Sequence, residues 1–536
     1  MTEQYPSQPQ PSGPYQPGQP AEPGQQPYPA AGGYQEYQQP YQQQDYQPGY
    51  QPQQAYYQDP AQQGYMPLAT ELAPPVKKKS KAGLIIGGSV AFAVLLAGGA
   101  FATVKLLSSP LGAEPEDVMP STVMAFARID LDPALTEQKK LYDLSKKFPG
   151  RKGDPDELKR DLIDHAEIDG VTFDEDAKPW LGDRMGAALW TQGKDNFILY
   201  AFASEDDKKA KSALDTARAG AKKKWGYRLH EGYVLIAVPE KSSVDGDPAA
   251  ASAVTAAKHT KLSDSQGYKG VVSKLPDNQL AIGWADLGSI FQLVKDQSGS
   301  KEISDLTGGV AVSGQVALGA QVTGDGIELR VQQSGKSGFQ PKQDLVKELE
   351  TLPANSAVAL AMQPLYDHPD FKKGFDQGVS KGLGKELGTL SKDEVEQLTG
   401  GLKELVSSTL TLSVTDIDTA ALRLTAISQS PASAKKLRET LSLLEGLVKV
   451  GEDGAQKTTV TYGAYKGEGG TLAENAVYRK AMAGRPAKTT FAAYVNVEKF
   501  IENSDMSAED KKEAAPFKAV GVMVGEDSAI IRLVIQ

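Results

Sequence analysis

Two carboxylates stand one residue apart at the end of an apolar run, in the stretch MPSTVMAFARIDLDP at residues 119 to 133. On an extended chain Asp130 and Asp132 lie on the same side, and carboxylate oxygens are ligands that divalent cations prefer. A strand that ends in a polar turn stopped by Pro133 accounts for the same two acids without a ligand. The pair is therefore a candidate metal site to be weighed against a plain strand end.

A second acidic stretch, HAEIDGVTFDED at residues 165 to 176, resembles a twelve-residue calcium loop. The resemblance rests on Glu167, Asp169, Gly170 and Asp176. It fails at the first position, which is His165, and at the last, where a calcium loop has a longer Glu. An acidic connector explains the stretch better than a calcium site.

Two further motifs match known chemistry only in part. GVSKGLGKE at residues 378 to 386 has the wrong glycine spacing for a phosphate loop and has Glu386 where Ser or Thr would hold Mg²⁺. Ser433-x-x-Lys436 matches the nucleophile pair of penicillin-recognising enzymes, but their companion motifs are missing. With Pro431 just before it, this stretch predicts the first turn of a helix.

The histidines do not form a recognisable site, and they stand singly at His165, His230, His259 and His368. There is no H-E-x-x-H, no G-x-S-x-G and no cysteine among the 536 residues, so the sequence predicts no thiolate zinc site, catalytic thiol or disulfide. We assign no catalytic, cofactor-binding or metal-binding residue and no cofactor. Hydrolysis by two acids brought together through folding stays open, because it leaves no spacing to recognise.

The elements that would position such residues begin after a long polar leader. Residues 1 to 76 contain no Lys or Arg but hold 11 of the 21 tyrosines, and they lack the apolar residues needed for a core. We predict a disordered, Gln/Pro/Tyr-rich cytoplasmic tail. The expected roles are phosphorylation of its tyrosines, docking on a partner, or a solvated spacer.

A basic flank and an apolar run follow at residues 77 to 106. KKKSK precedes 23 uncharged residues, 82 to 104, which as a helix span about 34 Å, enough for a bilayer core. The lysines predict a single-pass signal anchor in the cell membrane with the N-terminus in the cytoplasm and the C-terminal region outside. Gly83 and Gly87 have the spacing that allows weak helix dimerisation.

The region beyond the membrane segment contains an internal duplication. YKGVVSKLPDNQLAIGWADLGSIF (268 to 291) aligns without a gap with YRKAMAGRPAKTTFAAYVNVEKFI (478 to 501). MPSTVMAFARIDL likewise resembles LPANSAVALAMQPL (352 to 365). We predict two related halves, at residues 113 to 340 and 345 to 536.

The duplication bears on the carboxylate pair with which the stretch 119 to 133 ends. The second copy has Pro364 and Tyr366 at the positions of Asp130 and Asp132. The strand is retained and both acids are lost, so we read Asp130 and Asp132 as a strand end.

Each half is predicted to be α+β with a largely antiparallel sheet, because each closes with a hairpin pattern, at residues 308 to 332 and 519 to 536. A charged run at 205 to 225 predicts a helix with a solvated face. Apolar runs predict strands at 123 to 129, 185 to 190, 197 to 203, 233 to 238 and 280 to 285.

Several of these stretches together resemble the bacterial, chiefly actinobacterial family called domain of unknown function 3352. The resemblance rests on Met119-Pro120, Asp132-Pro133, Phe148-Pro149 and Pro179-Trp180-Leu181-Gly182. It covers most of residues 113 to 536 and implies a polar leader and one membrane helix. It implies no activity, cofactor or catalytic residue.

The leading hypothesis is a membrane-anchored protein that binds a protein or lipid partner, or a ligand, in the cell envelope without catalysis. A net charge of −10 argues against nucleic acid as the partner. The alternatives are a hydrolase of envelope glycan or lipid, a carrier for an apolar molecule, and an assembly protein that acts through the tail. Two acids with raised pKa values in one pocket would indicate the hydrolase, and an apolar space between sheet and helices would indicate the carrier.

Overall fold

The computed structural model describes residues 113–131, 135–148, 155–298, 313–335, 340–378, 391–444 and 446–536, all of which fall in one compact unit. The predicted tail, the apolar run 82–104 and the contact through Gly83 and Gly87 lie outside these ranges. Within them, no helix has both the length and the apolar character needed to cross a membrane, so the predicted transmembrane helix has no support there.

Sixteen strands of the described residues form one sheet in which every neighbouring pair is antiparallel. They are β1 Ala125–Asp130, β2 Leu181–Gln192, β3 Asp195–Ser204, β4 Gly226–His230, β5 Tyr233–Pro239, β6 Ala281–Asp286, β7 Gln315–Thr323, β8 Gly326–Gln333, β9 Val358–Met362, β10 Thr409–Asp416, β11 Ala421–Ile427, β12 Lys449–Glu452, β13 Lys457–Tyr462, β14 Phe491–Asn496, β15 Phe517–Val524 and β16 Ser528–Ile535.

The strand order is the same in the two halves of the sheet. It reads β4-β5-β3-β2-β1-β6-β7-β8 for the first eight strands and β12-β13-β11-β10-β9-β14-β15-β16 for the last eight. The two sets meet where β8 pairs with β16. The prediction of a separate sheet in each half was therefore wrong, because the fold is one continuous sheet.

The physical reason lies in the two hairpin strands that end the halves. Taken alone, β8 and β16 would each be an edge strand with unpaired backbone groups and apolar side chains such as Leu329 and Ile531. Pairing them satisfies both edges at once, and seven residue pairs join them.

Fourteen α-helices are present in the described ranges. They are α1 Pro115–Val118, α2 Leu135–Ser145, α3 Pro155–His165, α4 Asp207–Gly220, α5 Gly246–His259, α6 Gln266–Val272, α7 Leu287–Ser298, α8 Leu345–Glu350, α9 Pro369–Gly378, α10 Lys392–Val406, α11 Pro431–Leu441, α12 Ala476–Ala481, α13 Val497–Glu502 and α14 Ala508–Ala514. Side-chain caps fix several starts: Asp206 accepts from two amides at the start of α4, and Ser391 with Glu394 forms a capping box on α10.

Helices cover the sheet on two sides. We call the side that carries Ala127 and Ile129 the front face and the side that carries Phe126 and Arg128 the back face. In the first half, α3 and α4 bury the front face around Ile129, while α1, α5 and α6 bury the back face around Trp284. In the second half, α8 and α12 bury the back face around Tyr494.

The elements that the sequence patterns predicted have counterparts in the structure. The five predicted strands correspond to β1, β2, β3, β5 and β6, the charged run contains α4, and the two hairpins are β7–β8 and β15–β16. Local periodicity and turn residues were sufficient for these elements.

Candidate functional site

Twelve apolar side chains form a regular grid on the front face of the second half. Four neighbouring strands, β10, β9, β14 and β15, supply three residues each. In register, the rows read Val414–Val358–Val495–Val520, Leu412–Leu360–Ala493–Val522 and Leu410–Met362–Phe491–Val524. We call these residues the apolar grid. At ordinary strand spacing it covers about 14 Å in each direction.

All twelve residues of the apolar grid are only half-buried. Their neighbours along the same strands, which lie on the back face, are smaller on average yet fully covered: Ala359, Ala361 and Ala492 are 0% exposed. Large apolar side chains normally occupy the better buried side of a sheet. On β9 and β10 this relation is inverted.

The matching positions of the first half show what a closed front face looks like. Strands β2, β1, β6 and β7 place twelve residues in the same three-by-four register. Seven of them are buried, whereas none is buried in the apolar grid. The buried ones are Ala125, Ala127, Ile129, Met185, Leu189, Ala281 and Ala320. Small residues there let helices approach the sheet closely, which the bulkier grid prevents.

Helices α9, α10 and α11 lie on the same side of the sheet as the apolar grid. Thr458 of β13, a front-face residue, donates its hydroxyl to the carbonyl of Ala434 in α11 at 3.3 Å. Helix α10 packs on α11, where Thr440 Oγ1 donates to the carbonyl of Gln397 at 3.1 Å. Lys403 of α10 lies 5.0 Å from the ring centre of Tyr366, just before α9.

These helices also keep apolar side chains that are not buried. In α10, Val395, Leu398 and Leu405 are half-buried and Leu402 is 39% exposed. They form one stripe at helical spacing, next to the side that faces α11. Phe375 of α9 is half-buried too. Sheet and helices therefore both present uncovered apolar surface on this side of the second half.

The apolar grid contains no acid, base, nucleophile or metal ligand. It can bind an apolar molecule through contact and the exclusion of water, and it offers nothing that would transform one. Sequence reasoning missed it, although a signal exists. VALAM and LTLSV alternate large with small residues, and in both the large ones lie on the less buried face.

The structure places Asp130 on the back face at the end of β1. Its Oδ2 lies 3.7 Å from Arg184 Nε, and its backbone N–H donates to the carbonyl of Leu280. Asp132 lies outside the described residues, so the structure does not show the two carboxylates together.

The acids of the calcium-like stretch turn to separate partners. Asp169 accepts from the backbone N–H of Lys222 and Lys223 before β4, and Asp176 accepts from the backbone N–H of Thr172 at 2.8 Å. Both acids stabilise turns. In the part of the chain that the structure describes, no three His, Asp or Glu side chains converge as a metal site.

The two remaining motifs do not assemble either. Residues 379 to 386 of the glycine-rich stretch lie outside the described ranges. Ser433 is bonded to the Ser430 hydroxyl at 3.1 Å, while Lys436 Nζ lies 3.8 Å from Glu404. Ser433 therefore has a structural partner at the start of α11, and Lys436 has one in α10.

The four histidines lie in different elements. His165 ends α3 and His230 lies in β4. His259 ends α5, and His368 precedes α9. His230 is buried, and burial lowers its pKa.

A buried polar network lies on the back face of the first half. Tyr268 donates to Glu116 Oε1 at 2.9 Å, and Arg128 Nε lies 3.3 Å from Glu116 Oε2. Burial raises the pKa of Glu116 although Arg128 opposes the shift. The network binds α1 to the sheet. At 8% exposure, Glu116 is not accessible to a substrate.

Comparison with known proteins identifies no relative. No family model matches the chain, and no curated protein matches it. One solved structure, the duplicated taurocyamine kinase from Schistosoma mansoni with bound transition state analog components, shares 10% identity over 84% of this chain and 85% of that one. Its TM-score of 0.12 is too low to relate the two folds.

Proposed function

We propose that the described domain binds a long apolar molecule, of the acyl-chain class, on the apolar grid, and that it does so without catalysis. The observation that carries the proposal is the grid itself: twelve half-buried apolar side chains in register, on the same side of the sheet as helices that also keep uncovered apolar residues. It combines the leading hypothesis from the sequence, binding without catalysis, with the alternative of a carrier for an apolar molecule.

The position of the helices favours a small molecule over a protein partner. A protein would need a flat and open surface of roughly 800 Å² on each side, whereas α10 and α11 lie on the side of the sheet that carries the grid. A chain of methylene groups can lie along the grid without such a surface. Each methylene removed from water contributes about 0.8 kcal/mol, so ten of them offset the cost of ordering the ligand.

A hydrolase receives less support from the site. The expected sign was a pair of acids with raised pKa values in one pocket. Glu116 has a raised pKa, but it lies on the back face beside Arg128, and the grid contains no acid. A carboxylate reaction would therefore have no acid in contact with a molecule held on the grid.

The location belongs to the same proposal. We place the described domain outside the cytoplasm at the cell membrane, where acyl chains are abundant. Protease added to cells whose wall has been removed should digest the domain. Survival of the domain would contradict this location.

Membership of the domain of unknown function 3352 family is likewise proposed on the residues quoted above. It rests on Met119-Pro120, Asp132-Pro133, Phe148-Pro149 and Pro179-Trp180-Leu181-Gly182.

Photo-crosslinking tests the binding. A fatty acid carrying a diazirine is added to the purified full-length protein, and labelled peptides are identified by mass spectrometry. We expect labels on β9, β10, β14 and β15. Leu360→Glu, which places a charge at the centre of the grid, should reduce labelling at least tenfold.

The matched control is Ile198→Glu, which puts the same charge on a front-face strand residue that is 40% exposed in the first half. This variant should be labelled by the fatty acid to the same extent as the unchanged protein. Ala493→Phe, which fills the middle of the grid without adding charge, should also reduce labelling. Labelling that is scattered over the chain, or equal in all variants, would overturn the proposal.

A further inference from the structure

Two guanidinium groups and one carboxylate lie together on the back face where the two halves meet. Glu328 of β8 accepts from Arg330 Nε at 2.6 Å, from Gln321 Nε2 at 2.9 Å and from Arg532 Nη2. Glu328 is 1% exposed, so its two oxygens are fully committed to these donors. The cluster therefore contains two positive charges and one negative charge, all largely withdrawn from water.

The second arginine is incompletely paired. Arg532 is 14% exposed, and its buried Nε has no hydrogen-bond partner among the described residues. Its Nη1 reaches only the carbonyl of Lys480, at 3.4 Å. Buried donors are almost always satisfied, and an exception indicates a strained site or a missing ligand.

The neighbouring charged side chains pair with one another. Lys480 pairs with Asp325 at 2.6 Å, and Arg485 pairs with Asp344 and Glu350. The first pair is neutral, and the second group carries one net negative charge, but both of its carboxylates are paired with Arg485 rather than with Arg330 or Arg532. A 2:1 ratio of arginine to carboxylate remains at the cluster.

Both arginines converge on a space next to Gly484. A Cβ atom on this residue would lie 3.4 Å from Arg532 Nη2 and 3.6 Å from Arg330 Nη2. Gly484 is exposed and has φ +71°. The missing side chain leaves room between the two guanidinium groups that is open to solvent.

We infer that this space is a binding site for a small oxyanion, a phosphate or carboxylate group, bridged by Arg330 and Arg532. Guanidinium groups present planar pairs of N–H donors that match such oxygens, and partial burial strengthens the attraction. The bound anion would balance the excess positive charge. The site lies on the back face, opposite the side that binds the apolar molecule, and it does not depend on that proposal.

Thermal unfolding of the full-length protein with inorganic phosphate tests the inference, because a ligand of the native state raises the melting temperature with concentration. Sodium chloride of equal ionic strength is the reference, and acetate is the second probe. Phosphate or acetate should raise the melting temperature and chloride should not. Dihexanoyl phosphatidic acid in a parallel arm shows whether a lipid headgroup binds more strongly than free phosphate.

Arg330→Gln should remove the phosphate response. The matched control Arg423→Gln changes a similarly exposed strand arginine that pairs with Asp453, and it should keep the full response. An equal response in the unchanged protein and in R330Q would overturn the site.

Gly484→Asp provides a test that does not weaken the cluster. Asn and Asp tolerate positive φ, so Gly484→Asn is its uncharged control. The new carboxylate should replace the ligand, raising the melting temperature above that of G484N and removing the phosphate response. If G484D and G484N melt alike and both respond to phosphate, the inference fails, even where R330Q does not fold.

Discussion

Arg330 of β8 lies directly opposite Ile530 of β16, and the two residues occupy the same place in their respective hairpins. Ala317 of β7 pairs with Gln332, and its counterpart Gly521 of β15 pairs with Arg532. Arg330 stands two residues before Gln332 in β8, and Ile530 stands two residues before Arg532 in β16. These two residues pair with each other.

The seam between the halves, which is the pairing of β8 with β16, is therefore locally two-fold symmetric. In an isologous contact, a position on the symmetry axis faces its own counterpart. Here the chain places a charged residue on one side and an apolar residue on the other. This difference favours the pairing of β8 with β16 over a symmetric pairing of two first halves, in which two arginines would face each other.

Ile530→Arg should therefore destabilise the protein. The substitution places two guanidinium groups opposite each other in a position that is 3% exposed, with Glu328 already committed. We expect a loss of about 2–4 kcal/mol in the free energy of unfolding, measured by urea denaturation. The control Ile198→Arg, at a site 40% exposed, should change it by less than about 0.5 kcal/mol. Equal losses in both variants would contradict the role of the seam.

A second prediction uses the second half as a template for the first. Where the first half has Glu116 and Arg128, the corresponding positions of the second half are Leu349 and Ala361, both 0% exposed. A buried ion pair is often no more stabilising than apolar residues in its place, but one charge left alone is costly. Arg128→Ala should cost about 3–5 kcal/mol, and Glu116→Leu with Arg128→Ala should recover most of that loss.

Urea denaturation of the single and double variants measures this coupling. Equal losses in R128A and the double variant would show that Glu116 and Arg128 do not act as a pair.

Local patterns predicted what local physics determines. MAFARID alternates as a strand does, and Thr-Gly-Asp-Gly and Gly-Glu-Asp mark the hairpin turns before β8 and β16. The continuous sheet was not predictable in this way, because nothing in the residues of β8 says that its open edge will meet β16 rather than solvent.

The apolar grid escaped prediction for a related reason. In VALAM and LTLSV, both sets of alternate residues are compatible with burial, so the pattern does not say which face is closed. Ala359 and Ala361 are covered because α8 and α12 pack close to small residues, and Leu360 is not. Only the placement of helices decides this, and it depends on contacts between distant parts of the chain.

Gly186→Ala tests how α1 is attached to the sheet. A Cβ atom at Gly186 would lie 2.7 Å from Pro115 Cβ, so Pro115 must move. We expect a loss of about 1–3 kcal/mol and faster hydrogen exchange at residues 113 to 118. At Gly283, on the other side of β1, the nearest atom would be 3.7 Å away. Gly283→Ala should therefore leave exchange in this segment unchanged, and faster exchange in both variants would contradict the prediction.

Glu328 should make stability depend on pH in a defined direction. Burial alone would raise the pKa of Glu328, but hydrogen bonds from Arg532 and Arg330 outweigh it and hold the pKa below its usual value of 4.5. The folded state therefore favours the charged form. Its contribution to stability is complete above that usual value and is lost as the pH falls through the lowered one.

Glu328→Gln should accordingly lose about 3–5 kcal/mol near pH 7, because Glu328 is buried and two half-buried arginines are left with a neutral partner. The difference from the unchanged protein should shrink as the pH falls below about 4. Glu498→Gln is the control, since Glu498 is 49% exposed and pairs with Lys518 at 2.7 Å. Exposed pairs contribute about 0–1 kcal/mol, so its effect should be small. Urea denaturation at a series of pH values decides the matter, and a difference for E328Q that stays constant with pH would contradict the assignment.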